Sequence, residues 1–415
     1  MSEATDKPAG LPWARIIPLF AVVFFGFFGY AMISVIFVPM LLNPEETFLA
    51  KDASVSLRAA LAGLLLAAYP LGQFLGSPVI GALSDRFGRR PVLLISLGLT
   101  IAMYVNIALA LQFESYAWLI AACFVCGLGE ANVALAQSTL ADVTTAADRG
   151  RAFGYMYACG SLAYLTGPVI GGQLAAAFGY ALPFWIMLGP LAIGWLSLLV
   201  FFRETHEPDP TKPIAVGRSL ANLRYVVTDA YLRPVYLLNL LMYTAMYAFY
   251  RVVVFFMVHK WQMSVDTMTL WYAGYAAGVT VAMLIVMPWL SKRMSLAHIT
   301  SLSCIVGGAL ICLMPWPPQA FIAIAILGYP ASVFAGLMLA ACAGFISTQA
   351  AGDRQGHVMG NNQALQVGGE AGGAALGGAL AALWMPLPLL VFGGLVVVAG
   401  FGYLPFNRRK PVEAS

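Results

Sequence analysis

The chain has 415 residues, 61% of them hydrophobic and 10% charged, with a formal net charge of +4. A water-soluble domain is nearer half apolar and a quarter charged, so the composition excludes a soluble globular class and indicates a polytopic helical membrane protein. The cations are spread over loops, which leaves no basic stripe for a nucleic acid.

A membrane span needs about twenty apolar residues. On that ruler twelve are expected, at 16–42, 57–82, 92–112, 117–141, 152–178, 182–202, 233–258, 267–290, 297–314, 319–347, 355–383 and 386–406. The polar, acid-containing MSEATDKPAG start is unlike a cleaved leader, and Arg15 precedes the first span as in an uncleaved one. With both termini on one side, that side carries eighteen of the 22 Lys and Arg residues. The other carries Lys51, Arg58 and Lys260, and Arg251 lies inside a span. Cations gather on the cytoplasmic side, so both termini are expected there, in a cell membrane of bacterial inner-membrane type. The polar stretch after the sixth span, RETHEPDPTKP onward, is expected to be a cytoplasmic linker. The expected division is a six-helix bundle at 1–203, a linker at 204–232 and a second six-helix bundle at 233–415.

The halves repeat. DRGRAFG at 148–154 returns as DRQGHVMG at 353–360, and Gly154, Gly167, Gly171, Gly172 and Leu174 match Gly360, Gly373, Gly377, Gly378 and Leu380 at one offset. LSDRFG at 83–88 has a worn partner, LSKRMS at 290–295. Tandem six-helix repeats suit a transporter whose halves rock about a central site.

The turn GALSDRFGRRP, Gly81 to Pro91, joins the second and third spans. Gly81 and Gly88 allow close approach of helix and loop. Asp85 can sit at the positive N-terminus of another helix, and Arg86, Arg89 and Arg90 can pair with acids at neighbouring helix ends. A second string, with Gly154, Gly167, Pro168 and Gly171, lies in the fifth span, where small residues permit close helix contact and proline bends the axis.

These two strings resemble the major facilitator superfamily. The first matches its cytoplasmic loop motif between helices two and three, residue by residue at Asp85, Arg86, Gly88, Arg89 and Arg90. The second is similar to its antiporter motif, with Ala163 in place of one glycine. The resemblance is strong over residues 75–205 and looks like the tetracycline-resistance type of drug/proton antiporter. It implies an all-α fold of twelve transmembrane helices in two six-helix pseudo-repeats. It also implies a gate-side pair of Arg89 with Asp142, and proton-coupled efflux. The family's helix-four arginine position is Cys123 here, so its coupling scheme does not carry over residue by residue.

Ionisable residues deep in a span are costly and mark function. Glu130, Glu370 and Arg251 are the three. Either acid is a candidate for carrying the coupling proton. Arg251 is a candidate for offsetting charge or contacting an anionic substrate group, and is expected toward the outer end of its span, where it could snorkel or pair with Glu130. The candidate substrate cavity collects Tyr30, Gln137, Asn239, Tyr243, Tyr247, Arg251, Asn361, Asn362, Gln363 and Gln366.

No enzyme constellation is visible. His206, His259, His298 and His357 lie at loops or helix ends, and no P-loop is present. Cys123 and Cys126 form a CxxC with no second pair or nearby histidine, which reads as buried packing. Neither cofactor nor metal is expected. The expected partners are a small-molecule substrate, protons and the lipid bilayer, with the protein a monomer. The alternatives are a proton symporter importing a nutrient or metabolite, and a non-transporting membrane receptor.

Overall fold

The computed structural model describes residues 13–43, 49, 52–130, 135–136, 139–140, 143, 146–205, 224–320, 322–349 and 355–408. Helices account for nearly all of them, and no strand occurs among them. In chain order these are α1 (Trp13–Leu42), α2 (Val55–Phe87), α3 (Arg89–Gln112), α4 (Tyr116–Glu130), α5 (Ala146–Phe178) and α6 (Leu182–Phe201). After a short helix at Arg224–Thr228 come α7 (Arg233–Trp261), α8 (Val265–Val281), α9 (Leu296–Leu313), α10 (Tyr329–Thr348), α11 (Gln355–Leu383) and α12 (Leu387–Tyr403). Among the described residues, nine helices are long and apolar enough to cross a membrane, and Tyr116–Glu130 and Leu162–Phe178 are shorter apolar helices. α11 has the length but carries Asn361, Asn362, Gln363, Gln366 and Glu370, so it fails on apolarity alone.

Local chemistry sets the helix ends. Ser54, Ser264 and Ser295 cap α2, α8 and α9, their hydroxyls accepting from the backbone N–H of Leu57, Thr267 and His298. Proline opens α6, α7 and α12, where its missing N–H has no helical partner to lose. Two of the three cations expected on the far side hold loops. Arg58 is 1% exposed, and its guanidinium donates to the carbonyls of Ala53 and Leu41 at 3.1 and 3.2 Å. Lys260 donates to the Pro315 carbonyl at 2.6 Å.

The repeat is built into the packing. α5 lies along α1, and α11 lies along α7. A methyl group placed on Gly167 would come within 3.2 Å of Ala31 Cβ on α1, and one on Gly373 within 2.9 Å of Ala248 Cβ on α7. Gly172 turns toward Thr269 on α8, and Gly378 toward Gly63 on α2. The seams between the halves are therefore α5 with α8 and α2 with α11, one the repeat image of the other. Without side chains at these positions, backbones come close enough for dense van der Waals packing.

The repeat also explains an irregularity. Gly72 packs on α4 and Gly278, 206 positions later, packs on α10. Leu83 and Leu290, in the two LS-x-R strings, are 207 apart. Between these landmarks α8 passes through a π-helical turn, Ala282–Val286, before ending at Met287–Leu290. A π turn accommodates one extra residue, which is the difference between the offsets.

Both close seams lie at the end of the bundle away from the α2–α3 turn, with Phe74 against Gly368 (3.4 Å) nearer the middle. At the turn end a methyl placed on Gly81 would meet nothing within 4 Å among the described residues.

Candidate functional site

The two deep acids lie on opposite sides of the seam between the halves, each bonded to a tyrosine. Glu130, at the described end of α4, is 2% exposed. Its carboxylate accepts from the Tyr69 hydroxyl and, at 3.8 Å, from the Cys126 thiol one turn back, while Gln73 Nε2 donates to its backbone carbonyl at 3.4 Å. α2 packs along α4, which brings Tyr69 and Gln73 to the acid. Among the described residues no cation lies within ion-pair distance of Glu130.

Glu370, on α11, is 6% exposed. It accepts from the Tyr30 hydroxyl of α1 and pairs with Arg251 of α7 at 3.3 Å. Arg251 is 1% exposed, and its guanidinium lies 4.1 Å from the centre of the Tyr30 ring. Its stem does not reach a surface. Instead of snorkelling or pairing with Glu130, Arg251 is neutralised by Glu370 and covered by an aromatic face.

The two halves of this arrangement touch through ring stacking. Tyr30 and Tyr69 have centroids 4.5 Å apart and planes at 26°. The continuous path is thus Glu130, Tyr69, Tyr30, Glu370, Arg251, drawn from α4, α2, α1, α11 and α7. Tyr164 on α5 stands edge-on to Tyr30 at 6.4 Å. Tyr164 is also the residue 206 positions before Glu370, so the repeat puts a phenol where the second half has an acid.

A second buried network lies within α7, α10, α11 and α12. Asn239 Nδ2 donates to Asn362 Oδ1 at 2.7 Å, and Asn362 Nδ2 donates to the Tyr243 hydroxyl at 2.9 Å. The Tyr403 hydroxyl donates to Asn239, and Tyr243 meets Cys342 Sγ at 3.3 Å. Asn239, Asn362 and Tyr243 therefore spend their polar groups on one another. Asn361 is buried beside them, and half-buried Gln366 donates to the Tyr247 hydroxyl. Gln137 lies outside the described residues, and of Gln363 only the helical backbone is described.

At the α2–α3 turn, Gly88 adopts φ 97°, a left-handed conformation suited to glycine. Helix α3 starts at once, and its first amides, those of Arg89 and Arg90, donate to the carboxylate of Glu204 at 2.8 and 3.1 Å. Arg90 Nη2 donates to the Leu199 carbonyl at 2.7 Å, and Arg89 Nη1 to Ser84 Oγ at 2.7 Å. The guanidinium of Arg86 lies 5.5 Å from the Phe87 ring centre. The acid on the positive end of α3 is Glu204, from just beyond α6. Asp142 lies outside the described residues, and of Asp85 only the backbone is described. In the fifth-span string, Gly167 and Gly171 face α1, Pro168 is buried between them in the same helix, and Gly154 lies in its first turns.

Sequence reading missed Tyr69, Gln73, Tyr164 and Glu204. Tyr69 and Tyr164 had a usable signal, since each is a hydroxyl-bearing ring deep in an apolar span. Glu204 had none, because its partner amides lie 115 and 114 positions away. All six cysteines are free, and Cys123 and Cys126 are buried, as packing residues should be.

Comparison with known proteins bears on what such a bundle does. The family model for the Major Facilitator Superfamily matches residues 19–329. Tetracycline resistance protein, class C, of Escherichia coli is 44% identical over 149 residues, 35% of this chain and 36% of that protein. The chain thus spans about a third of that relative's length in the match. Multidrug resistance protein 2 of Bacillus subtilis is 24% identical over 364 residues, 85% of this chain and 88% of that protein. A solved D-xylose-proton symporter superposes with a TM-score of 0.75 at 16% identity, covering 96% of this chain and 99% of that one, a likeness of fold. The seams, the loop string and a match over most of the chain agree on a multi-pass transporter rather than an enzyme, and the chain belongs to the Major Facilitator Superfamily.

Proposed function

We propose that the protein exports small amphipathic compounds in exchange for protons, by alternating access. The halves at 1–203 and 233–415 would rock about the central site, with the linker at 204–232 and both termini in the cytoplasm of a bacterial cell and the protein working as a monomer. The observation that carries this reading is the buried path from Glu130 to Arg251. Two buried carboxylates stand on either side of the seam between the halves, which supports a role for them when the halves rock.

Physical cost argues for a task. A charge buried in a span is costly unless paired, and such residues mark ion and substrate paths. Glu370 balances Arg251, so protonating Glu370 removes the carboxylate charge from a buried ion pair, which favours either a substrate anion or a different packing of α7 on α11. Among the described residues Glu130 has no cation to hold its charge, and its carboxylate accepts from Tyr69 and Cys126. The similarity to tetracycline and multidrug resistance proteins supports the outward direction and the drug-type cargo.

The experiment is a pH-gradient transport assay in proteoliposomes across a panel of amphipathic compounds. Substrate addition should drive proton release from the lumen, and co-uptake of substrate and protons would overturn antiport in favour of symport. Glu130→Gln and Glu370→Gln, assayed singly, should each lose pH-driven transport. Full pH-driven activity in both would remove these carboxylates from the mechanism.

A further inference from the structure

The two LS-x-R corners of the repeat differ in how their cations are satisfied. At the α2–α3 turn, Glu204 lies against the first amides of α3, and Arg89 and Arg90 donate to Ser84 and to the Leu199 carbonyl. At the α8–α9 turn Lys292 stands where the first corner has Asp85, and Arg293 where it has Arg86. Lys292 and Arg293 are both exposed, and no acid lies within ion-pair distance of either among the described residues. Lys292 makes no hydrogen bond there, and Arg293 reaches only the Trp289 carbonyl at 3.5 Å.

These cations border an open groove of about 560 Å³ lined by Ile285, Pro288, Trp289, Lys292 and Arg293. Its wall is apolar and uncovered, with Ile285 66% and Trp289 55% exposed. The Arg293 guanidinium lies flat against Trp289, 3.9 Å from the ring centre, which fixes the cation at the apolar edge. The π turn at Ala282–Val286 sits directly above and adds the residue that separates the two corners' offsets. Two unneutralised cations, an indole and an apolar wall at the end of a membrane helix complement one kind of molecule, an amphiphile with an anionic head.

We propose that this corner is a binding site for one anionic phospholipid. The headgroup phosphate would lie between Lys292 and Arg293, and an acyl chain along Ile285, Pro288 and Trp289. The cations would neutralise the phosphate at the membrane surface, where each Lys or Arg adds to the attraction for anionic lipid. The first-half corner would lack this site because an acid, Asp85, stands where Lys292 does, which leaves Arg86 as the one aligned cation.

The purified full-length protein, titrated with phosphatidylglycerol or phosphatidylcholine and read by native mass spectrometry, tests the proposal. Retention of one phosphatidylglycerol should exceed that of phosphatidylcholine by on the order of tenfold. Lys292→Gln/Arg293→Gln should erase the difference, whereas Arg224→Gln/Arg233→Gln, which removes the same charge elsewhere, should preserve it. Phosphatidylglycerol with brominated acyl chains should quench tryptophan emission in the parent chain and less in Trp289→Phe. Equal retention of both lipids, or loss of the preference in both double variants alike, would overturn the site. So would unchanged quenching in Trp289→Phe, or displacement of the lipid by millimolar inorganic phosphate.

Discussion

Glu130 and Glu370 are both buried carboxylates with a tyrosine donor, yet their surroundings are opposite. Glu370 is one member of an ion pair, held by Arg251 at 3.3 Å and by Tyr30. Glu130 has Tyr69 and a thiol 3.8 Å away, and no cation among the described residues. The difference teaches that one buried acid is built into the packing of the halves, while the other can change its proton without orphaning a counter-charge. Removing one partner of a buried pair costs about 3–5 kcal/mol, because the survivor stays buried and charged.

The sharpest way to break this comparison is Glu370→Ala. It should lower the unfolding free energy of the purified protein by about 3–5 kcal/mol. Adding Arg251→Met should recover most of that loss in thermal unfolding without restoring transport. If the single variant melts like the parent, Arg251 has another counter-charge and the contrast with Glu130 fails. Tyr69→Phe comes next, since it strips Glu130 of its hydroxyl donor and should cost about 1–3 kcal/mol. That loss should shrink when Glu130→Gln is present, as a double-mutant cycle would report. Tyr30→Phe should cost less, about 1 kcal/mol, because Arg251 still satisfies Glu370 and the stack on Tyr69 survives. A loss as large as that of Tyr69→Phe would mean that Tyr30, not Arg251, holds Glu370. Glu130→Gln should have the smallest effect on folding, below about 1 kcal/mol, since Gln keeps an acceptor for Tyr69. Unfolding should hardly move while pH-driven transport falls, and a folding loss matching that of Glu370→Ala would erase the distinction between the two acids.

Much of the architecture was legible in the chain. Helices followed from apolar length, and the glycines at 167, 171, 172, 373, 377 and 378 announced a repeat that the packing reproduces pair by pair. The loop string and the fifth-span string identified the family before any coordinate. The polar crowding of α11 was visible too, although what Asn362 bonds to was not.

The partners were not legible. A pairing of Arg251 with Glu130 was as compatible with the sequence as its pairing with Glu370. Both acids are deep, and nothing local says which helix faces α7. The acid at the start of α3 is another such partner, since Glu204 is supplied by a segment 115 positions away. The π turn is a similar case. Its one-residue insertion is written in the two offsets, yet only the backbone shows where α8 absorbs it.

The sequence by itself determined the membrane setting, the helical class, the twofold repeat and the set of residues too costly to bury without purpose. Those follow from composition and periodicity, because the bilayer demands apolar length and internal backbone bonding of every span. Only the tertiary structure decided that α2 meets α11 and α5 meets α8, and that Tyr30 and Tyr69 stack between the acids. It alone placed Arg251 with Glu370 and left Lys292 and Arg293 without an acid among the described residues. Such choices depend on which helix faces meet across hundreds of residues, and no local pattern encodes that.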